Sequence, residues 1–180
     1  MIRSVLGGAA VAALLAGGAH CEVVDLQSNG FTMDQKIEIQ ATPDKVYAAL
    51  IDPAHWWSSG HTFSGDAKNM TFDARPGGCW CETLPNGGGV LHMTVVYVAP
   101  GKVVRMRGAL GPFQPTGMDG AITVTVDPAK GGSTMLEWSY SLGGYIWGGF
   151  GALPGQADGV LNQQVRRLKS FVETGSADPK

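Results

Sequence analysis

Cysteine is scarce: the 180-residue chain holds three, Cys21, Cys79 and Cys81. So few thiols exclude a disulfide-dense scaffold, and stability has to come from an ordinary apolar core. Charge is scarce too. Thirteen basic and fifteen acidic residues leave a formal net charge of −2 without a basic run, so the electrostatic footprint of a nucleic-acid binder is missing. The apolar stretch from Val5 to Leu15 is too short to span a bilayer. The sequence has no Ser-His-Asp order, phosphate-binding glycine loop, HExxH zinc motif, internal repeat or low-complexity tract.

The first residues, MIRSVLGGAAVAALLAGGAHC, read as a secretory leader: one positive charge at Arg3, an apolar run, then small side chains. Cleavage fits after Cys21, behind Ala19-His20-Cys21, or after Ala19, behind Gly17-Gly18-Ala19. The bulky His20 argues against acylation of Cys21. A leader of residues 1–21 leaves a single domain over residues 22–180. It also sends the protein to the periplasm or outside the cell, with no stable membrane insertion once the leader is gone.

The remaining chain is rich in structural punctuation. Residues 31–41 end in a period of two at Ile37 and Ile39, a strand signal. Thr42, Pro43 and Asp44 then open a short helix running to Leu50, as N-cap, first helical residue and dipole partner. Asp52-Pro53 stops it and starts a second short helix through Trp56 and Trp57. Strands follow at 70–74, 79–84, 90–98, 103–109, 121–127 and 134–142, separated by the turn signals RPGG, PNGGG, APGK and DPAKGG. Residues 157–174 return to helical spacing, with Ala157, Leu161, Val165, Leu168 and Val172 as an apolar stripe. The expected class is α+β: a curved seven-stranded antiparallel sheet wrapped around a long C-terminal helix, with two short helices after the first strand. A helix is narrower than the groove it lies in, so a gap remains between them, and that gap is the default ligand site.

Four stretches carry a resemblance: ATPDKVYAALIDPAHWW, RPGGCW, VYVAPGKVVRM and GVLNQQVRRLKSFVE. In this order the chain resembles the START-like helix-grip superfamily, also called SRPBCC, over residues 31–173. The polyketide cyclase/dehydrase-like and heat-shock ATPase-activator-like subgroups are the nearest in character. The resemblance implies the helix-grip fold and a cavity for a small hydrophobic molecule, since members bind lipids, sterols, polyketides or plant hormones and some cyclise aromatic polyketides.

The hexapeptide GGCWCE at residues 77–82 raises the question of chemistry. On a strand, Cys79 and Cys81 share one face while Trp80 and Glu82 share the other. A four-residue loop at residues 85–88 puts Cys81 opposite His92 and Cys79 opposite Thr94. Two thiols and an imidazole on one patch suit zinc or copper, lacking a fourth ligand; otherwise no cofactor is expected. A Cys79–Cys81 disulfide is not expected, because neighbours on one face of a regular strand stand too far apart.

Two hairpins give the cysteines opposite facings. Across APGK, pairing Val98 with Val103 groups the cysteine face with Arg105 and Arg107, hence outward. Across RPGG, a tight turn pairs Cys81 with Phe72, hence inward. The outward reading is preferred, because two buried arginines cost more than one bulge. It leaves Trp80, Glu82, Met93, Val95, Tyr97 and Met106 facing the interior. Trp56, Trp57, Trp138, Tyr140, Trp147 and Phe150 complete an expected aromatic cavity wall, with glycine-rich YSLGGYIWGGFGALPG as a lid.

The leading functional expectation is binding of a small hydrophobic ligand, a lipid or an aromatic polyketide-like compound. One alternative is a cyclase- or aromatase-like enzyme using Glu82, with its pKa raised by burial, or His61. The other is a periplasmic metal-binding protein built on Cys79, Cys81 and His92.

Overall fold

The computed structural model describes residues 20–178. Among these, eight strands form one antiparallel sheet. They are β1 (His20–Gln27), β2 (Gly30–Ile39), β3 (Met70–Phe72), β4 (Cys79–Thr83), β5 (Gly89–Ala99), β6 (Val103–Arg107), β7 (Gly117–Pro128) and β8 (Thr134–Tyr145). A short helix α1 (Pro43–Leu50) follows β2, and a long helix α2 (Leu153–Thr174) ends the chain. The spatial order β1-β2-β8-β7-β6-β5-β4-β3 makes residues 40–69 a crossover from β2 to β3 at the far edge, while β8 returns beside β2.

The architecture is the expected one with one strand more. β1 was not anticipated, because HCEVVDLQ abuts the leader. The expected leader itself lies outside the described residues, except for His20 and Cys21, which open β1. Thr42 does occupy the N-cap of α1, but its side chain makes no capping hydrogen bond. The second short helix is a single 3₁₀ turn, Pro53–His55, that ends just before the tryptophan pair. α2 starts at Leu153, ahead of the expected residue 157, with Pro154 in its first turn. It stops at Gly175, whose left-handed φ of 79° lets its N–H bond Phe171 O at 2.8 Å.

Period-two alternation sends Met33, Ile37 and Ile39 of β2 and Leu136, Trp138 and Tyr140 of β8 inward. Leu161, Val165, Leu168 and Val172 of α2 meet this face, so the helix covers the sheet along its apolar stripe. Gly120 of β7 permits a close approach: a Cβ there would stand 2.4 Å from Ser141 O. The tryptophans interlock edge to face, with ring centroids 5.5 Å apart for Trp56–Trp57, 4.8 Å for Trp57–Trp80 and 6.3 Å for Trp80–Trp138. Such pairs add roughly 0.5–1.5 kcal/mol each beyond buried area. No helix among the described residues is long and apolar enough to cross a membrane.

Candidate ligand cavity and the Glu82–His92 pair

Beyond the tryptophan cluster the sheet and α2 diverge, and a cavity of about 570 Å³ opens between them. Its helix wall is one face of the first half of α2, where Leu153, Ala157, Val160 and Leu161 recur at helical spacing. The sheet wall carries Met70, Trp80, His92 and Tyr140. Two loops close the sides: residues 61–63 with Phe63, and residues 110–115, LGPFQP. The wall is mostly apolar, and its volume lies within the range of small-molecule sites, roughly 300–1,000 Å³.

Two irregularities decide which side chains face this interior. At β4–β5, Trp80 pairs with Met93 and Cys81 with Leu91, so His92 is an extra residue on β5. The bulge breaks alternation and buries His92 and Met93 together. At β5–β6, Val95 pairs with Met106 and Tyr97 with Arg105, so Val96 is extra. This second bulge turns Tyr97 outward, where it is 48 % exposed with the Arg105 guanidinium 5.5 Å from its ring centre.

The hexapeptide is thereby resolved. The cysteines face outward, half-buried, while Trp80 and Glu82 are buried, as the arginine argument required. The expected pairing of Cys79 with Thr94 holds, but Cys81 lies opposite Leu91, not His92. Cys79 and Cys81 form a disulfide, against expectation. Their Cα atoms are 5.5 Å apart, whereas residues two apart on a fully extended strand stand roughly 6.6 Å apart, so the strand is contracted enough to be bridged. The metal constellation does not assemble: both sulfurs are in the disulfide, and His92 lies on the opposite face of the sheet. Among the described residues no group of three His, Cys, Asp or Glu side chains could hold a metal ion.

The Glu82 side chain is fully buried. Its Oε2 accepts from His92 Nε2 at 3.0 Å and from the Phe63 amide at 3.1 Å, and Oε1 accepts from the Ser64 amide. Burial is the largest single influence and acts to raise its pKa. The hydrogen bonds from Ser64, Phe63 and His92 together outweigh it, so the carboxyl is held below its ordinary value and is ionised at neutral pH. The expectation of a raised pKa is therefore corrected. So is the expected approach to the ligand: Glu82 stands behind His92 and does not reach the cavity wall. For His92, burial lowers the pKa and the Glu82 contact only partly offsets it, so the imidazole is neutral.

Of the other expected residues, Trp57, Trp80, Tyr140 and His61 do line the cavity. The Tyr140 hydroxyl accepts from Leu110 N at 2.9 Å and donates to Gly108 O at 3.3 Å, anchoring the root of the 110–115 loop; burial pushes its pKa up. His61 is exposed, its Nε2 3.0 Å from Gln163 Oε1. Trp56, Met93, Val95, Met106 and Trp138 are buried in the core and contribute no wall. Phe150 packs on Phe31, centroids 5.4 Å apart, and Trp147 is 88 % exposed; neither touches the cavity. The side loop is instead LGPFQP, which with Phe63 escaped the sequence reading. Its signal was a proline- and glycine-bounded apolar run between two strands.

A sequence model of the family described as "Polyketide cyclase / dehydrase and lipid transport" matches residues 30–173. No curated protein matches the chain. Solved structures are similar in fold at low identity. A conserved protein of unknown function from Enterococcus faecalis has a TM-score of 0.60 at 17 % identity, covering 89 % of this chain and 80 % of its own. An uncharacterized protein from Rhizobium leguminosarum has a TM-score of 0.58 at 17 % identity, covering 86 % and 97 %. DynU16, a protein in the dynemicin biosynthetic locus, has a TM-score of 0.58 at 19 % identity, covering 81 % of this chain and 48 % of its own.

Proposed function

The chain belongs to the polyketide cyclase / dehydrase and lipid transport family, and from that premise we propose that it binds a small hydrophobic molecule between the sheet and α2. The observation that carries this reading is the cavity of about 570 Å³ walled by Trp57, Phe63, Trp80, Leu110 and Val160. Apolar burial supplies roughly 25 cal/mol per Å², so enclosing ~200 Å² of ligand supplies roughly 5 kcal/mol before the cost of association. A cyclase-type role is the second reading, favoured by the buried Glu82–His92 pair, which has the base-and-orienter arrangement that proton transfer needs. The Cys79–Cys81 disulfide supports an exported protein, since such bonds persist in oxidising compartments.

Titration with Nile red tests the carrier reading. Ala157 lines the cavity from α2, so Ala157→Trp should fill it and abolish saturable binding while far-ultraviolet circular dichroism stays unchanged. Undiminished binding in the filled variant would place the dye elsewhere and overturn the reading.

A further inference from the structure

Nearly every polar side chain on the cavity wall is already engaged within the protein. The Tyr140 hydroxyl holds Leu110 N and Gly108 O. Thr62 Oγ1 donates to Ser59 O at 2.8 Å, and Gln114 Nε2 donates to Leu91 O at 2.7 Å. The His61 Nε2 meets Gln163, and Gln156 is exposed on α2. Two buried groups are exceptions. Among the described residues the Trp80 indole N–H has no hydrogen-bond partner, and His92, 6 % exposed and lining the cavity, bonds through one nitrogen only.

The identity of that nitrogen fixes the chemistry of the other. An ionised carboxylate only accepts, so Nε2 bears the proton that points at Glu82, and Nδ1 of the neutral ring is left with a lone pair. Among the described residues Nδ1 has no hydrogen-bond partner. Glu82 is in turn clamped by the Phe63 and Ser64 amides, so the carboxylate that orients the ring is itself fixed, and the ring cannot swing without losing its bond to Glu82. This oriented acceptor, backed by a carboxylate that strengthens its basicity, belongs to a side chain that lines an apolar chamber. Such an acceptor discriminates among apolar molecules by what they donate, and a more acidic hydroxyl makes the stronger bond. Trp80 and Phe63 flank the imidazole with ring centroids 6.0 and 5.9 Å away, the setting for a flat aromatic body.

We propose that His92 Nδ1 is the anchor of the site, that the ligand is an aromatic or enolic molecule bearing a weakly acidic hydroxyl, and that Glu82 positions the imidazole to receive that hydroxyl. This rests on the carrier reading, and it names the ligand class. The test compares naphthol with methylnaphthalene, two probes of nearly one shape that differ in the hydroxyl. In the unaltered protein naphthol should bind about tenfold more tightly. His92→Phe should bind both equally, and Glu82→Gln should bind both with a reduced preference. Because a core variant can fail to fold, the second readout uses the unaltered protein: the imidazole Nδ1 nitrogen-15 resonance should move on adding naphthol and stay put with methylnaphthalene. Equal affinities in the unaltered protein, a preference that survives His92→Phe, or an unmoved Nδ1 resonance would each overturn the proposal while leaving the carrier reading standing. Failure of both probes to bind would overturn the two together.

Discussion

Replacing Glu82 by Gln perturbs one atom and three hydrogen bonds. The carboxylate accepts from Phe63 N at 3.1 Å, from His92 Nε2 at 3.0 Å and from the Ser64 amide. A glutamine oxygen set in the place of Oε2 keeps the first two as neutral contacts and turns its NH₂ group toward the Ser64 N–H, donor against donor. Hydrogen bonds to a charged group contribute about 1.5–3 kcal/mol and neutral ones about 1, so losing one and weakening two costs roughly 3–5 kcal/mol. Relief of the buried charge offsets part of this, leaving a net loss of about 3 kcal/mol. Urea unfolding followed by tryptophan fluorescence would measure it, alongside a fall in Tm of about 6–12 °C. Amide exchange at Phe63 and Ser64 should speed up selectively, because Glu82 is what ties their loop to the sheet. A loss below about 1 kcal/mol with unchanged exchange at both amides would refute the reasoning.

Trp80→Ala, at a fully buried ring touching Trp57, Trp138 and the cavity, should cost about 3–5 kcal/mol in urea unfolding. Trp147→Ala, 88 % exposed, should leave both stability and Nile red affinity unchanged. Reduction of the Cys79–Cys81 disulfide by dithiothreitol returns to the unfolded chain only a very short loop's worth of entropy, so stability should fall by about 1.5 kcal/mol at most, read as a Tm shift of a few degrees. Gly120→Ala should be poorly tolerated, since its Cβ would meet Ser141 O at 2.4 Å; a Tm within 1–2 °C of the parent, roughly 0.5 kcal/mol, would contradict that.

Acid should unfold the protein in two stages. The folded pKa of His92 lies below the ordinary 6.5, so as pH falls past that value the unfolded chain takes up a proton that the folded chain still refuses, and stability drops. The folded pKa of Glu82 lies below 4.5, so its contribution is complete above that value and is lost as pH falls through the folded pKa. The ionised Glu82 on β4 is the group bonded to His92, with His61 and Tyr140 sharing the cavity wall. His92→Gln should remove the first stage from the plot of stability against pH and leave the second.

Much of the fold was legible because two signals agreed: period-two runs ending in glycine-proline turns, and one amphipathic helix able to cover a sheet. β1 was hidden by its position beside the leader. The site was less legible, and the bulges are why. Nothing in GVLHMTVVYV states that His92 and Val96 are each unmatched on the partner strand, yet those two offsets bring His92 inside and send Tyr97 out. An unbroken count of alternation instead pairs His92 with Cys81 and builds a metal site that the register forbids. The disulfide depended on a local contraction of β4 that composition cannot reveal. The lid expectation failed for a related reason: glycines around Trp147 marked a loop, but which loop borders the cavity follows from where β6 ends and β7 begins. The outward facing of the cysteines was recoverable, because buried arginines would have been too costly.

Crystals soaked in bromonaphthol and measured at the bromine absorption edge locate the ligand without assumption about its pose. Anomalous density in the chamber between Trp80 and Val160, with the naphthol oxygen within hydrogen-bond distance of His92 Nδ1, is the expected result. Bromine confined to the outer surface, or an interior that stays empty at saturating ligand, would contradict a hydrophobic binding site between the sheet and α2.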